Sequence, residues 1–303
     1  MYDIVIIGAG TAGLSAAIYG VRAGKKTLVL DGAFYGGQIV NTQVVENYPG
    51  IKSVSGFDFV YGLYTQATEL GAEYKNEKVV GINKLEDGIE VVSENGKYMA
   101  KTVILAMGGS NKKLGIDREV ELTGRGVSYC ATCDGAFYKG KDVAVIGGGN
   151  TAVDDAIVLS GYCNKVYLIH RRDTFRAQEV LVERAKSKDN IEFIMDSTVS
   201  KFLGNDKVEG IEIQNIKTGE NFSLDVAGVF VAVGVQPATD IVKELVKIDD
   251  NGYIVADESC KTTVPGIFVA GDVRTKEVRQ LVTAAADGAV AAIAATQYID
   301  ASM

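Results

Sequence analysis

The sequence has no tryptophan, one histidine (His170), three prolines and four cysteines, Cys130, Cys133, Cys163 and Cys260. A single histidine leaves no His-based triad and no His-rich metal site to assemble, and no metal is expected. Four cysteines in 303 residues are too few for a disulfide scaffold. No run of 18 or more apolar residues occurs, so no membrane span or membrane partner is expected. The N-terminus enters "YDIVIIGAG" directly. It has no basic n-region, apolar h-region or cleavage site, so no signal peptide is expected and the cytoplasm is the expected address. Basic residues number 31 against 39 acidic ones, a net charge of −8. Such a chain repels phosphate backbones, so nucleic acid is not an expected partner. Three prolines and no biased tract leave nothing that reads as low complexity or linker.

An apolar content of 47% and a charged content of 23% fit a globular protein. The length exceeds one ordinary core and predicts two domains. Two segments share one plan. In "YDIVIIGAGTAGLSAAIYGVRAGKKTLVLD" an apolar strand (Ile4–Ile7) leads into Gly8-Ala-Gly10-Thr-Ala-Gly13, an Ala-rich helix ending near Gly24, and a second strand, Thr27–Leu30. In "KDVAVIGGGNTAVDDAIVLSGYCNKVYLIHRR" the strand Val143–Ile146 leads into Gly147-Gly-Gly149-Asn-Thr-Ala152, a helix and the strand Val166–Ile169. Gly8 to Asp31 and Gly147 to His170 are both 23 residues. The first glycine permits a tight turn, and the second lets backbone approach a pyrophosphate. The third position, Gly13 or Ala152, lets helix pack on strand, while the helix N-terminus faces the phosphates. The plainer reading is two ordinary tight turns in an α/β protein. Each half then carries an apolar run ending in Ala-x-Gly, Val103–Gly108 and Val229–Gly234, and Ile267–Asp272 is a third such run near the end. The alternating, turn-rich "KVVGINKLEDGIEVVSENGKYMAKTV" reads as antiparallel strands.

The ends of the two second strands differ. Asp31 is an acid placed to accept from a ribose hydroxyl and to repel a 2′-phosphate, which fits FAD or NAD. The second segment has His170-Arg171-Arg172 and then Arg176. Guanidiniums suit a phosphate dianion, so NADPH is expected there over NADH, with a solvated basic patch as the alternative. His170 reads as a pocket wall or neutral hydrogen-bonder, not a catalyst. A hydride donor needs an acceptor, so the first loop is expected to hold a flavin. "GGQIVNTQVVENYPG", Gly36 to Gly50, reads as a loop approaching the flavin ring. "VAGDVRTKEVRQ" offers Asp272 to a ribityl hydroxyl, ahead of a helix whose N-terminus favours negative charge.

Cys130 and Cys133 form a Cys-x-x-Cys that can close a small disulfide ring. That spacing often lowers one thiol pKa from about 8.5 toward roughly 7. Asp134, directly after Cys133, is a carboxylate where proton delivery to a leaving thiolate is useful. A zinc site, which needs four ligands, and an inert buried pair are the alternatives. Cys163 and Cys260 read as structural thiols.

"CATCDG", "GGGNTA", "HRRDTFRA", "GGQ…ENYPG" and "GDV…RQ" together resemble the low-molecular-weight thioredoxin reductases, over essentially the whole chain. The resemblance implies two Rossmann-like, three-layer ββα domains of the FAD/NAD(P)-binding type, with the NADPH domain (114–240) inserted in an FAD domain (1–113 and 241–303). It implies a homodimer that passes electrons from NADPH through non-covalent FAD and the Cys130–Cys133 disulfide to thioredoxin. In that scheme Cys133 lies nearer the flavin, Cys130 attacks the substrate disulfide and Asp134 is the acid/base. It further implies FAD contacts at Gly8, Gly10, Thr11, Ala12, Gly13, Asp31, Gly37, Gln38, Asn47, Ala106, Gly108, Gly271, Asp272, Arg279 and Gln280. NADPH contacts are implied at Gly147, Gly149, Asn150, Thr151, Ala152, His170, Arg171, Arg172 and Arg176. Met107 and Ala136 depart from the family's commoner wording; Ala136 stands where an aromatic pair is often found, and Phe137 and Arg125 are the candidate partner contacts.

Since the disulfide and the second glycine loop share a domain and both must meet a flavin held by the other, one domain is expected to rotate at linkers near Lys112–Asp117 and Ala238–Lys243. Alternatives of the same architecture are a disulfide reductase of another partner, peroxiredoxin-type or ferredoxin-linked, and a thiol oxidase. Neither the oxidase nor the ferredoxin-linked form needs Arg171, Arg172 and Arg176. A nucleotide-binding redox sensor, the non-enzyme reading, needs neither paired donor and acceptor sites nor Asp134.

Overall fold

The computed structural model describes residues 1–32, 34–42 and 44–302. Gln43, within the Gly36–Gly50 segment read above as approaching a flavin, lies outside them. The chain forms two compact units, Met1–Ser110 with Gln236–Met303, and Asn111–Val235.

In the first unit the strands Glu73–Asn76, Thr27–Asp31, Tyr2–Ile7, Lys97–Leu105 and Ile267–Val269 lie side by side in that order, all parallel. The nine-residue strand Lys97–Leu105 has two sets of neighbours. Its first half pairs antiparallel with Gly88–Ser93, which pairs in turn with Val79–Leu85. Its second half, from Val103, pairs with Ile267–Val269.

Period-two alternation gives the sheet two buried faces. Ile4 and Ile6 pack with Leu14, Ala16 and Ala17 of the helix Thr11–Arg22. Val5 and Ile7 pack with Val79, Ile82, Ile89 and Val91 of the antiparallel strands. Helices, parallel sheet and meander are therefore three layers. Each fully buried Val, Leu or Ile among these contributes about 1.5–3 kcal/mol. The closing helix, Leu281–Ala301, has the length and apolar composition to cross a membrane. Here Ala291, Ala292 and Ala295 are core. A Cβ at Gly288 would stand 2.2 Å from the Ala12 carbonyl oxygen, so small residues let this helix approach Thr11–Arg22 at backbone distance.

The second unit repeats the plan. Ile191–Ile194, Lys165–Ile169, Asp142–Ile146, Gly228–Val231 and Val127–Ser128 form a parallel sheet in that order. Val143 and Val145 pack on Ala152, Val153, Ala156 and Leu159 of the helix Asn150–Ser160. Ala144 and Ile146 face Val199, Phe202, Ile211 and Ile213 of the antiparallel meander Ser197–Leu203, Gly210–Asn215 and Asn221–Leu224. The two segments that connect the units, Gly109–Asn111 and Val235–Pro237, pair with each other as a two-stranded ladder. The expected architecture of two Rossmann-type domains is the observed one.

Candidate functional site

Each unit presents its glycine loop between the first parallel strand and the first helix. In the first unit the Gly8 amide donates to the Leu30 carbonyl at 2.8 Å and the Ala106 amide to Ile7 at 2.8 Å, which locks the loop to both neighbouring strands. Gly8 has φ +104°, and a Cβ there would stand 2.3 Å from the Ala106 carbonyl oxygen. A Cβ at Gly13 would stand 1.8 Å from the Gly8 oxygen, so the helix can start here only with glycine. Gly10 differs: its Cβ would meet nothing closer than the Gly36 oxygen at 3.9 Å. The protein's own packing does not require glycine at that position. The Ala9 amide donates to Asp31 Oδ2 at 2.6 Å, which fixes the acid at the loop. Thr11 and Ala12 are buried at the head of the helix.

The remaining predicted residues of this unit fall into two groups. The Gly36 amide donates to Ala9, bringing the short 3-10 helix Gly37–Asn41 to the loop, and Gln38 Nε2 donates to the Gly109 carbonyl at 2.7 Å. Gly108 has φ +62° with open space around its Cβ direction. In the second group Asn47 Nδ2 donates to Gln280 Oε1 at 3.2 Å, and Gln280 caps the closing helix in a reciprocal capping box with Thr283. Arg279 stacks on the Tyr253 ring at 4.1 Å and its Nε donates to the Asp272 carbonyl at 3.4 Å. Asp272 is half-buried, and its buried Oδ1 has no hydrogen-bond partner among the described residues. Burial pushes its carboxyl pKa up, against the pull of Lys276 and Arg279.

The turn that carries Asp272 is held by a residue that no local motif marks, Asp287. Asp287 Oδ2 accepts from the Gly271 amide at 3.0 Å. The same carboxylate takes a bidentate pair from Arg274 Nε and Nη2, both at 2.9 Å, and Lys276 Nζ at 2.8 Å. Burial works to raise the Asp287 carboxyl, but hydrogen bonds from Arg274 and Lys276 outweigh it and hold it below the usual carboxylate range.

In the second unit Cys130 and Cys133 are bonded to each other, with Cα atoms 5.3 Å apart, and both are half-buried. Bonded to each other, they are not free thiolates for a metal, and no group of three metal-binding side chains occurs among the described residues. Cys130 precedes the single turn Ala131–Asp134. Its amide donates to Ser128 Oγ at 3.1 Å, and that hydroxyl donates to Asp134 Oδ2 at 2.6 Å. Burial raises the Asp134 carboxyl pKa and the Ser128 bond opposes the rise. Ser128 was not singled out from the sequence. Its signal was available, since it lies two residues before Cys130 and six before Asp134. Phe137 and Arg125 are exposed. Cys163 and Cys260 are buried and unpaired; burial pushes their thiols up to about 11 and about 12, which makes both inert.

The second glycine loop matches the first. A Cβ at Gly147 would stand 2.4 Å from the Ala232 oxygen and 2.7 Å from the Ala152 Cβ, while at Gly149 nothing lies within 4 Å. The Arg176 amide donates to the Gly148 carbonyl at 2.8 Å, and the Gln178 amide donates to Asn150 Oδ1 at 2.9 Å. These bonds bring the basic segment to the loop. Thr151 is exposed and Ala152 buried. Arg171, Arg172 and Arg176 are exposed. His170 is buried, stacks on Phe175 at 5.4 Å and lies so close to Gly148 that a Cβ there would overlap its ring. Its Nε2 has no hydrogen-bond partner among the described residues. Burial, followed by the three arginines, lowers its pKa, so the ring is neutral at physiological pH.

The sequence pattern of the pyridine nucleotide-disulphide oxidoreductases matches residues 2–288. The chain is 45% identical over 300 residues to the thioredoxin reductase of Treponema pallidum (strain Nichols), covering 99% of this chain and 97% of that one. It is 43% identical over 310 residues to the thioredoxin reductase of Peptoclostridium acidaminophilum, covering 100% and 98%. The crystal structure of thioredoxin reductase from Streptococcus pyogenes MGAS5005 superposes with a TM-score of 0.94 at 42% identity, covering 99% of each chain. The chain belongs to the thioredoxin reductases of the pyridine nucleotide-disulphide oxidoreductase family.

Proposed function

We propose that the chain is an NADPH-dependent flavoenzyme that reduces the disulfide of thioredoxin, as a homodimer in the cytoplasm. Its family uses FAD, NADPH and a redox-active disulfide. Bound FAD supplies the two-electron chemistry between NADPH and the Cys130–Cys133 disulfide.

FAD is assigned to the first unit and NADPH to the second. The unpartnered buried Asp272 Oδ1 supports the first assignment, since a ribityl hydroxyl would satisfy it. Open space at Gly10 and Gly149 supports a pyrophosphate against each loop. Gly8, Gly10, Thr11, Ala12 and Gly13 would hold the FAD pyrophosphate, and Asp31 a ribose. Gly37, Gln38, Asn47, Ala106, Gly108, Gly271, Arg279 and Gln280 would line the rest of that site. For NADPH, Gly147, Gly149, Asn150, Thr151 and Ala152 would form the cradle and His170 a neutral wall. Arg171, Arg172 and Arg176 would take the 2′-phosphate.

In the thiol half-reaction the Cys130 thiolate attacks one sulfur of the thioredoxin disulfide. That disulfide breaks, and its departing thiolate takes up a proton. Cys133 then attacks the mixed disulfide at Cys130, closing the Cys130–Cys133 bond and releasing the thioredoxin dithiol. Asp134, whose carboxyl pKa is raised by burial, is the group that would pass a proton to a departing thiolate, and Ser128 orients it. Disulfide and NADPH loop lie in one unit, so they take turns at the flavin by movement about the connecting segments.

The observation that carries this reading is the disulfide of Cys130 and Cys133 in one compact unit with the arginine-bearing glycine loop. The test is reduction of thioredoxin by the holoenzyme with NADPH and NADH, beside Arg171→Ala. The wild type prefers NADPH and the variant loses that preference. A flavin band that does not bleach with NADPH rejects the reading. Bleaching without reduction of thioredoxin keeps the enzyme and changes the partner.

A further inference from the structure

The turn between the strands Gly210–Asn215 and Asn221–Leu224 reaches the arginine-bearing segment of the second unit. Asn215 Oδ1 accepts from the amides of Lys217 and Thr218, both at 3.0 Å, so the turn is internally braced. The Ile216 amide donates to the Asp196 carbonyl at 2.7 Å, the Asp196 amide to the Arg172 carbonyl at 3.2 Å and the Ser197 amide to the His170 carbonyl at 3.0 Å. This chain of backbone bonds sets Lys217 beside the loop. Its Nζ lies 3.1 Å from Asp173 Oδ2 and 3.0 Å from Asp196 Oδ2.

The placement matters because Asp173 follows Arg172 in sequence and Asp196 is bonded to Arg172 through the backbone. Two carboxylates beside a guanidinium cluster are natural internal partners for it, and they would compete with a phosphate dianion. Instead both are taken by one ammonium. Among the described residues Arg171, Arg172 and Arg176 make no side-chain ion pair. We propose that Lys217 is a positioning residue for the 2′-phosphate: it occupies Asp173 and Asp196 and so leaves the three guanidiniums available to the ligand. This rests on the NADPH reading given above and adds to it a specificity residue from the opposite layer of the domain. The effect is electrostatic and local, and its scale is that of one or two exposed ion pairs.

The test uses the FAD-loaded protein and two probes, 2′,5′-ADP and 5′-ADP, titrated calorimetrically. Lys217→Met is expected to weaken 2′,5′-ADP by roughly fivefold while leaving 5′-ADP unchanged, and Lys217→Arg is expected to bind as the wild type does. Adding Asp173→Asn and Asp196→Asn to Lys217→Met restores 2′,5′-ADP binding. Equal weakening of both probes, or none, overturns the proposal. So does weakening that persists once the carboxylates are neutralised, since Lys217 would then contact the phosphate itself. A wild type that binds 2′,5′-ADP no better than 5′-ADP instead refutes the NADPH reading on which the proposal rests.

Discussion

Ser128 donates to Asp134 Oδ2 at 2.6 Å while accepting from the Cys130 amide at 3.1 Å, so one hydroxyl ties the proposed acid to the first cysteine of the disulfide. Burial raises the Asp134 carboxyl and Ser128 holds it down. Ser128→Ala removes the opposing bond, so the carboxyl titrates at still higher pH. The Asp134-dependent limb of the pH profile of kcat/KM for thioredoxin then moves to higher pH. A limb that stays where it was refutes the link. Asp134→Asn, which cannot give up a proton, lowers the same constant by roughly 10²-fold or more.

The four glycine positions Gly8, Gly10, Gly13 and Gly149 separate folding from binding. Gly10→Ala and Gly149→Ala add a methyl group that meets no backbone closer than 3.9 Å. Both variants fold with the wild-type circular dichroism spectrum; Gly10→Ala purifies without flavin, and Gly149→Ala keeps flavin but shows a raised KM for NADPH. Gly13→Ala would drive its Cβ to 1.8 Å from the Gly8 oxygen and yields little folded protein. Full flavin content in Gly10→Ala would rule out a pyrophosphate at that loop.

Asp272 carries a buried oxygen without a hydrogen-bond partner among the described residues. Asp272→Ala removes the acceptor proposed for a ribityl hydroxyl and is expected to weaken FAD roughly tenfold or more. The ratio of flavin to protein absorbance after dialysis reads this directly. Because the turn is held by Asp287 through the Gly271 amide, the thermal midpoint of the flavin-free protein is little changed by Asp272→Ala.

Asp155 lies on the helix Asn150–Ser160, where burial and then Asp154 raise its carboxyl to about 7. The folded chain keeps this proton up to about 7, whereas the unfolded chain gives it up near the ordinary 3.8. Stability from this group is therefore full at low pH and is lost as pH rises through about 7. Asp155→Asn, neutral throughout, melts higher than wild type at alkaline pH and alike at acid pH. An Asp155→Asn protein whose midpoint tracks the wild type across that range refutes the assignment.

The parts of this protein legible in the sequence are those encoded by neighbours along the chain. Gly8 to Gly13 and Gly147 to Ala152 declare their turns because a helix and a strand must pack within a few residues of each other. The Cys130–Cys133 pair is legible for the same reason. Lys97–Leu105 is legible in two pieces, as an antiparallel strand up to Val103 and an apolar run from Val103, but their fusion into one strand serving an antiparallel neighbour and a parallel one depends on the distant Ile267–Val269. Asp287 with Arg274, and Lys217 with Asp173 and Asp196, were not legible at all. Their partners lie 13, 44 and 21 residues away, and no local pattern marks a charge that will be shared.

The middle unit, Asn111–Val235, is one uninterrupted stretch, while the other needs both ends of the chain. The parallel sheet of the first unit is completed only by Ile267–Val269, and its helical layer only by Leu281–Ala301. During synthesis the segment made second therefore has everything it needs before the segment made first does. The N-terminal strands must wait on the ribosome with an exposed face, and the disulfide-bearing unit matures ahead of them.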